Sequence, residues 1–232
     1  MLAIRRSAER GHANYEWLDT HYSFSFSDYY DPRFMGFRSL RVINEDRIAP
    51  GGGFPKHGHR DMEILTYVVE GGLEHRDSLG NGSVIRPGEL QRMSAGTGIL
   101  HSEHNASATE PVHMLQIWLL PDRKGITPGY EQRAFDRSEA RGRWQTLASS
   151  DGRDGSLSIH QDARLSQTFL EKGEQVRYEL GTDRHAWLQI VTGSITVSGL
   201  ELHAGDGLAV SETPAIDLEG LESASVLLFD LA

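Results

Sequence analysis

The chain has 232 residues, of which 38% are hydrophobic and 24% charged, a composition typical of globular proteins with one large domain or two smaller ones. It contains no cysteine, which excludes disulfide bonds, thiolate metal sites and cysteine nucleophiles. The formal net charge of −10 disfavours direct binding to nucleic acid. No run of about 18 apolar residues predicts a membrane span, and residues 1–10 lack the apolar stretch of a signal peptide, so we expect a cytoplasmic protein without membrane contact.

Short strands separated by turn residues dominate the first half of the chain. Residues 23–26 alternate serine with phenylalanine, which is the pattern of a half-buried strand. Residues 40–43 and 63–69 also predict strands, and the polar residues 44–46 are interpreted as the end of the first of these. Residues 112–120 form a nearly continuous apolar run, which predicts a strand in the interior of a sheet.

The stretch 121–155 is polar and rich in glycine and proline, and we interpret it as the connection between two halves. Its one predicted helical element covers about 137–147. Many short strands at even spacing predict a β-sandwich or barrel rather than a parallel sheet with crossover helices. Beyond the connection, strands are predicted at 156–160, 168–170, 176–180, 187–192, 195–197, 207–210 and 225–231.

The two halves share an order of turn signals. In the first half, a glycine turn at Gly71 between two strands is followed by the Gly88-Glu89 pair that opens another strand. In the second half, a turn at Gly193 is followed in the same way by Gly205-Asp206. This is the turn pattern of jelly-roll barrels, so we predict an all-β protein of two such barrels with short helical connections.

Two pairs of residues predict a metal site. His57 and His59 are two residues apart in a segment whose glycines disfavour a helix, so in a strand both side chains leave the same face. His101 and Glu103 have the same spacing. Three imidazoles and one carboxylate suit Fe(II), Mn, Co, Ni, Cu or Zn and leave coordination positions open. The other histidines, among them His75, are interpreted as core or surface residues.

The same residues carry a resemblance to a known family. Gly51-x5-His57-x-His59-x3-Glu63 resembles the first cupin motif, and Gly98-x2-His101-x3-Asn105 resembles the core of the second, with Gly96 where that motif has proline. The chain is more specifically similar to the pirin family, and most of all to bacterial pirin-like quercetin 2,3-dioxygenases. This similarity rests on Phe24-Ser25-Phe26, Tyr29-Tyr30-Asp31-Pro32, Met35-Gly36-Phe37, Leu40-Arg41-Val42-Ile43-Asn44 and Ser94-Ala95-Gly96-Thr97-Gly98-Ile99-Leu100-His101-Ser102-Glu103.

The resemblance implies a bicupin fold, that is, two cupin-type β-barrels. A metal-binding cupin domain is expected over 1–130, and a C-terminal cupin domain without metal ligands over 131–232. When the turn glycines of the two halves are aligned, Glu179, Gly181 and Leu218 stand opposite the three candidate histidines. None of these three residues in the second half is a histidine, which agrees with metal in the first barrel alone.

The resemblance also implies which carboxylate joins the metal. The general cupin spacing would assign this role to Glu63, whereas the pirin pattern assigns it to Glu103, beside His57, His59 and His101. We prefer Glu103 and expect the loss of Glu63 to weaken the metal less than the loss of Glu103. The expected cofactor is one divalent transition metal, Fe(II) first, with Zn, Ni, Co, Mn or Cu as alternatives.

Two functions from different classes follow from this resemblance. The first is a metal-dependent dioxygenase that opens a flavonol such as quercetin with O₂, with the metal as Lewis acid and Glu103 as general base. Its partners would be a small aromatic phenol and O₂. The alternative is a metal-binding, redox-sensing regulatory protein that acts through a protein partner. Resemblance of fold does not choose between them.

Overall fold

The chain is almost entirely β-sheet in a computed structural model that describes all 232 residues. Three short 3-10 helices, at Ser7–Glu9, Arg137–Ala140 and Arg153–Gly155, are the helical elements. None is long and apolar enough to cross a membrane. The 22 strands, in chain order, are β1 (Leu2–Arg5), β2 (Gly11–Asn14), β3 (Leu18–Tyr22), β4 (Leu40–Ile48), β5 (Gly53–His59), β6 (Glu63–Glu70), β7 (Leu73–Asp77), β8 (Gly82–Ile85), β9 (Glu89–Ser94), β10 (Ile99–Asn105), β11 (Val112–Leu119), β12 (Gly129–Ala134), β13 (Gln145–Ser149), β14 (Leu157–Ser158), β15 (Ala163–Leu170), β16 (Gln175–Glu179), β17 (His185–Thr192), β18 (Ser194–Val197), β19 (Leu200–His203), β20 (Gly207–Val210), β21 (Ala215–Gly220) and β22 (Ala224–Leu231).

The N-terminal unit comprises residues 11–135 and 159–161 and contains two antiparallel sheets. The larger sheet has the strand order β12-β9-β6-β11-β4-β3-β2, and the smaller has the order β5-β10-β7-β8. Strand β11 lies at the centre of the larger sheet, and its Leu115 and Ile117 are buried. The prediction that the apolar run 112–120 forms an interior strand is therefore confirmed.

The C-terminal unit comprises residues 1–10, 136–158 and 162–232. Its larger sheet has the order β1-β20-β17-β22-β15-β13-β14, and its smaller sheet has the order β16-β21-β18-β19. Aliphatic side chains such as Leu188 and Leu228, both fully buried, form its hydrophobic core. Each unit thus pairs a seven-stranded with a four-stranded sheet, and the predicted fold class, all-β with two cupin-type barrels, is confirmed.

The first strand belongs to the C-terminal unit. Strand β1 pairs antiparallel with β20, from Leu2 opposite Val210 to Arg5 opposite Gly207. The domain ranges expected from the sequence place this strand in the first barrel, because four residues carry no information about a partner about 200 positions away. The contact units of the structure differ from those ranges at residues 1–10, 131–135 and 159–161.

The turn glycines of the repeat have the same backbone conformation in both units. Gly71 has φ +79° and Gly193 has φ +72°, in the region that favours glycine. A Cβ atom would also lie 2.7 Å from the Pro111 carbonyl oxygen at the first position and 2.1 Å from that of Ser223 at the second. Since both turns need glycine for the same two reasons, the structure supports the repeat seen in the sequence.

Two predicted elements, one strand and one helix, are wrong. Residues 23–26 are not a strand, because the Ser25 hydroxyl bonds to the backbone of Asp31 and folds the segment into a loop. The helix predicted over 137–147 is a single 3-10 turn that ends at Ala140. Gly142, at φ +62°, redirects the chain, and β13 then joins the larger C-terminal sheet.

We expect Leu228→Ala to lower the free energy of unfolding by about 2–5 kcal/mol, because the deletion leaves a cavity in the fully buried core of the C-terminal unit. Urea unfolding followed by circular dichroism measures the change. Leu2→Ala is the matched control, since this leucine of the same unit is 36% exposed. Equal effects of the two variants would contradict the assignment of Leu228 to the core.

Candidate metal centre

Two strands of the smaller N-terminal sheet carry the candidate ligands. In the pairing of β5 with β10, His57 lies directly opposite His101. Strand β5 is the edge of this sheet, where Pro55 is tolerated although it has no N–H group. The register shifts between His101 and Glu103, so an extra residue on β5 is accommodated next to the proline.

The loop before β10 explains the departure from the cupin motif. Gly96 has φ +46°, which proline cannot adopt because its ring fixes φ near −65°. A Cβ atom at this position would also lie 2.1 Å from the carbonyl oxygen of Ile126. Glycine is therefore the residue that this loop accommodates.

The imidazoles of His57, His59 and His101, here called the imidazole cluster, converge on one point. The Nε2 atom of His101 lies 3.0 Å from Nε2 of His57 and 2.9 Å from Nε2 of His59. Metal–nitrogen bonds of about 2.1 Å at right angles would place two nitrogen atoms about 3.0 Å apart. The ring nitrogens therefore stand at the separations of neighbouring ligands around one ion.

The protonation of the imidazole cluster suits a cation. Nδ1 of His57 donates to the carbonyl oxygen of Pro55 at 2.8 Å, so its Nε2 keeps the lone pair. Burial lowers the pKa of His59 to about 4, with a further contribution from the charge of His57. Burial likewise lowers the pKa of His101 to about 2. Converging lone pairs repel one another unless a cation accepts them, and the donor set therefore fits a divalent metal.

Glu103 lies beside the imidazole cluster, two residues after His101 on β10. Its Oε2 accepts a hydrogen bond from Nε2 of Gln116 at 2.9 Å, and its Oε1 lies 3.5 Å from the Thr66 hydroxyl. Burial raises the pKa of Glu103 to about 7, although these hydrogen bonds oppose the rise. Its carboxylate forms a second potential metal-binding group with His75 and His101 and is not a member of the imidazole cluster.

The alternative carboxylate, Glu63, is fully buried and engaged elsewhere. Its Oε2 accepts hydrogen bonds from the Ser94 hydroxyl at 3.0 Å and from the backbone N–H of His160 at 3.2 Å. It belongs to neither of the potential metal-binding groups that include His101. Glu63 therefore connects β6 to β9 and to the segment 159–161 through hydrogen bonds.

A cavity of about 430 Å³ opens next to the imidazole cluster. Phe26, Phe54 and Trp118 contribute aromatic walls, while Asn44 and Asp46 contribute polar groups from β4. A flat, mostly apolar molecule with a few polar substituents matches such a lining. The remaining lining residues are Pro55, His57, His59, Glu103 and Gln116.

Two polar residues of this cavity were missed by the sequence reasoning. Asn44 and Asp46 were interpreted as the end of a strand, but β4 continues to Ile48 and places both of them inside the unit. Burial raises the pKa of Asp46 to about 7, and the Thr20 hydroxyl partly opposes this rise. The signal was their spacing of two, which puts both side chains on one face of a strand.

His75 was also missed. It is fully buried, and its ring centroid lies 5.3 Å from that of His101. The sequence feature that could have identified it is again a spacing of two, here to Asp77. In the structure, Nε2 of His75 lies 3.2 Å from Oδ2 of Asp77.

The residues that the glycine alignment sets opposite the three histidines differ from them in chemistry. Glu179 is exposed, Gly181 has no side chain, and Leu218 is part of the hydrophobic core. The interior of the second barrel is thus aliphatic where that of the first is polar.

Comparison with known proteins covers the whole chain. The family model Pirin matches residues 3–119, and the model of the quercetinase C-terminal cupin domain matches residues 146–231. A quercetin 2,3-dioxygenase of Escherichia coli (strain K12) is 51% identical over 231 residues, with 100% of this chain and 99% of the relative covered.

Solved structures agree with these matches. The crystal structure of the bacterial pirin YhhW from Escherichia coli in complex with nickel(II) is 51% identical, with a TM-score of 0.95 and coverage of 100% of this chain and 99% of that one. A quercetin 2,3-dioxygenase from Acinetobacter baumannii is 19% identical and shares the fold, with a TM-score of 0.75 over 98% of this chain and 85% of that one.

The raised pKa of Glu103 has a consequence for the metal-free protein. Between the unfolded-state pKa of 4.5 and the folded-state value of about 7, ionisation favours the unfolded state, so stability falls as the pH rises through this window. We expect the free energy of unfolding of Glu103→Gln to fall by roughly 3 kcal/mol less than that of wild type as the pH rises through this window. Urea unfolding of the two metal-free proteins at pH 5 and pH 8 measures it.

Glu110→Gln, at an exposed position, is the control for this measurement. It should leave the free energy of unfolding at pH 5 and at pH 8 as in wild type. If Glu103→Gln and wild type lose the same stability between pH 5 and pH 8, the carboxyl group is not held in the neutral form.

Proposed function

Since this chain belongs to the pirin family, as its sequence resemblance predicted, we propose that it is a metal-dependent dioxygenase that opens a flavonol such as quercetin with O₂. The observation that carries the proposal is the imidazole cluster at the wall of a cavity lined by aromatic side chains. The full-length relative named quercetin 2,3-dioxygenase supports the same reaction. The nickel(II) complex of the relative YhhW supports a divalent metal.

We assign His57, His59, His101 and Glu103 as the metal ligands. The imidazole cluster already has the spacing of three neighbouring ligands. To join it, the Glu103 carboxylate would exchange its hydrogen bond with Gln116 for the ion. Fe(II) is our proposed native metal, since nitrogen and oxygen ligands in this ratio accept it along with its first-row neighbours.

When bound, a divalent metal supplies Lewis acidity that favours ionisation of the flavonol 3-hydroxyl group. Glu103 is the proposed base for this proton. Its carboxyl group lies at the cavity wall, and burial keeps competing water away from it. Before the metal binds, Gln116 donates to its Oε2 and keeps the carboxylate in place at the cavity wall. Ring opening by O₂ with loss of carbon monoxide would follow.

The cavity lining provides for substrate binding. Phe54 and Trp118 present faces and edges on which an aromatic bicycle packs, as aromatic pairs do in protein cores. Asn44 offers a buried Oδ1 atom that has no hydrogen-bond partner, which a phenolic hydroxyl would satisfy by donating to it. A polyphenol therefore fits this cavity better than an aliphatic ligand.

We expect His57→Ala to lose both bound metal and quercetin-dependent O₂ uptake, because it removes one of three converging nitrogen atoms. Elemental analysis of protein purified without added metal, followed by an oxygen-electrode assay, measures both. His104→Ala is the control, since this histidine follows Glu103 and alternation along β10 directs it to the other face. Metal-loaded wild type that consumes neither flavonol nor O₂, yet captures a protein partner only when loaded, would favour the regulatory alternative.

Glu103→Ala should lower kcat for quercetin by about 10²- to 10⁴-fold, the usual range for loss of a general base. It should also weaken the metal more than Glu63→Gln does, because Glu63 is engaged by Ser94 and His160. Steady-state kinetics and metal competition with a chelator measure the two effects. Full metal content together with full activity in Glu103→Ala would overturn both roles of this residue.

A further inference from the structure

The two ring nitrogens of His101 face different surroundings. Its Nε2 points into the imidazole cluster, whereas its Nδ1 points inward and lies 3.5 Å from Nδ1 of His75, its one hydrogen-bond partner. If His101 binds an ion through Nε2, its Nδ1 carries the proton and needs an acceptor. The acceptor that the structure offers is His75.

Two contacts specify which nitrogen of His75 is the acceptor. The Asp77 carboxylate lies 3.2 Å from its Nε2, and a carboxylate accepts from an N–H group. The amide nitrogen of Gln91, which can only donate, lies 3.0 Å from its Nδ1. Both contacts place the proton on Nε2 and the lone pair on Nδ1. Nδ1 of His101 approaches this lone pair at 3.5 Å and shares it with Gln91.

Asp77 is itself held as a carboxylate. Its Oδ1 accepts from the backbone N–H groups of Leu79 and Asn81 at 2.9 and 3.0 Å, and its Oδ2 accepts from the side-chain amide of Asn81 at 2.9 Å. Burial acts to raise the pKa of Asp77, but these hydrogen bonds and the one from His75 lower it overall. The carboxylate thus stays fixed and ionised at the β7–β8 turn.

The ring of His75 is also confined sterically. Its side chain is fully buried, and the Tyr130 ring packs on it with a centroid distance of 4.9 Å. Strand β7 lies next to β10, with Asp77 opposite His101 and His75 opposite Glu103. The pairing of β7 with β10 therefore places His75 and Asp77 next to the proposed ligands His101 and Glu103.

We propose that Asp77 and His75 are positioning residues, which orient His101 through a hydrogen-bond relay from Asp77 Oδ2 to His75 and on to Nδ1 of His101. The relay fixes the ring and tautomer of His101 so that the Nε2 lone pair meets the ion, and it makes that nitrogen a stronger donor. This inference rests on the proposed metal site. It adds two residues to which the cupin motifs assign no role.

Asp77→Asn tests the relay with little change in shape. An amide group in place of Oδ2 donates towards Nε2 of His75, so His75 would move its proton to Nδ1 and lose the lone pair that His101 needs. We expect zinc(II) or nickel(II), measured by competition with a chelator, to bind roughly 10- to 100-fold more weakly. Nitrogen-15 NMR of the histidine rings should show His75 changing tautomer.

Glu201→Gln is the matched control, because Glu201 also pairs with histidine, at 3.3 Å from His203, but on the surface, outside the relay and outside the potential metal-binding groups. It should leave the metal affinity and the His75 tautomer unchanged. An unchanged affinity in folded Asp77→Asn would overturn the relay.

Two substitutions of His75 separate the relay from other roles and do not depend on the folding of Asp77→Asn. His75→Gln keeps a carbonyl oxygen that can accept from His101, so it should retain affinity within a few-fold, whereas His75→Leu should lose it. If His75 were itself a ligand, both variants would lose affinity equally and X-ray absorption would count one imidazole fewer on nickel. Equal, wild-type affinity in both variants would also overturn the proposal.

Failure of the proposed function gives a different result. If wild type and His57→Ala bind nickel(II) equally weakly, the imidazole cluster is not a metal site, and the relay falls with it. If wild type binds tightly and His57→Ala does not, while Asp77→Asn and His75→Leu match wild type, the metal site stands and only the relay is wrong.

Discussion

The pairing of β5 with β10 is the constraint on which the candidate site depends. It places His57 opposite His101, and Nε2 of His101 lies within 3.0 Å of Nε2 of both His57 and His59. Such an arrangement of lone pairs is unfavourable without a cation. The strand pairing therefore favours metal binding and destabilises the metal-free protein. The second unit also pairs a seven-stranded with a four-stranded sheet but has an aliphatic interior, so this architecture does not itself need a polar interior.

The sequence was sufficient for features that depend on local period and turn chemistry. The spacing of two in His57-x-His59 and His101-x-Glu103 predicted side chains on one face of a strand, and in the structure the three imidazoles meet. The repeated glycine turns predicted two barrels of similar topology, and Gly71 and Gly193 share a left-handed backbone. Both inferences needed only neighbouring residues and the geometry of an extended chain.

Features that depend on distant partners could not be predicted in this way. The polar residues Asn44 and Asp46 were interpreted as the end of a strand, because nothing local shows that β4 lies between β11 and β3 and continues through them. His75 was set aside although Asp77 follows it at the same spacing that identified the metal ligands. Its importance depends on β7 lying next to β10, and that contact is set by the packing of the whole unit.

The edge position of β5 has a consequence for metal exchange. This strand is bonded to β10 on one side and to no strand on the other, so it would open before the rest of its sheet. An ion held by His57 and His59 on one strand and by His101 on the next would act as a cross-link between them. Metal occupancy would then govern local fraying, and backbone amides along Gly53–His59 would exchange with solvent deuterium more slowly in the loaded protein than in the empty one.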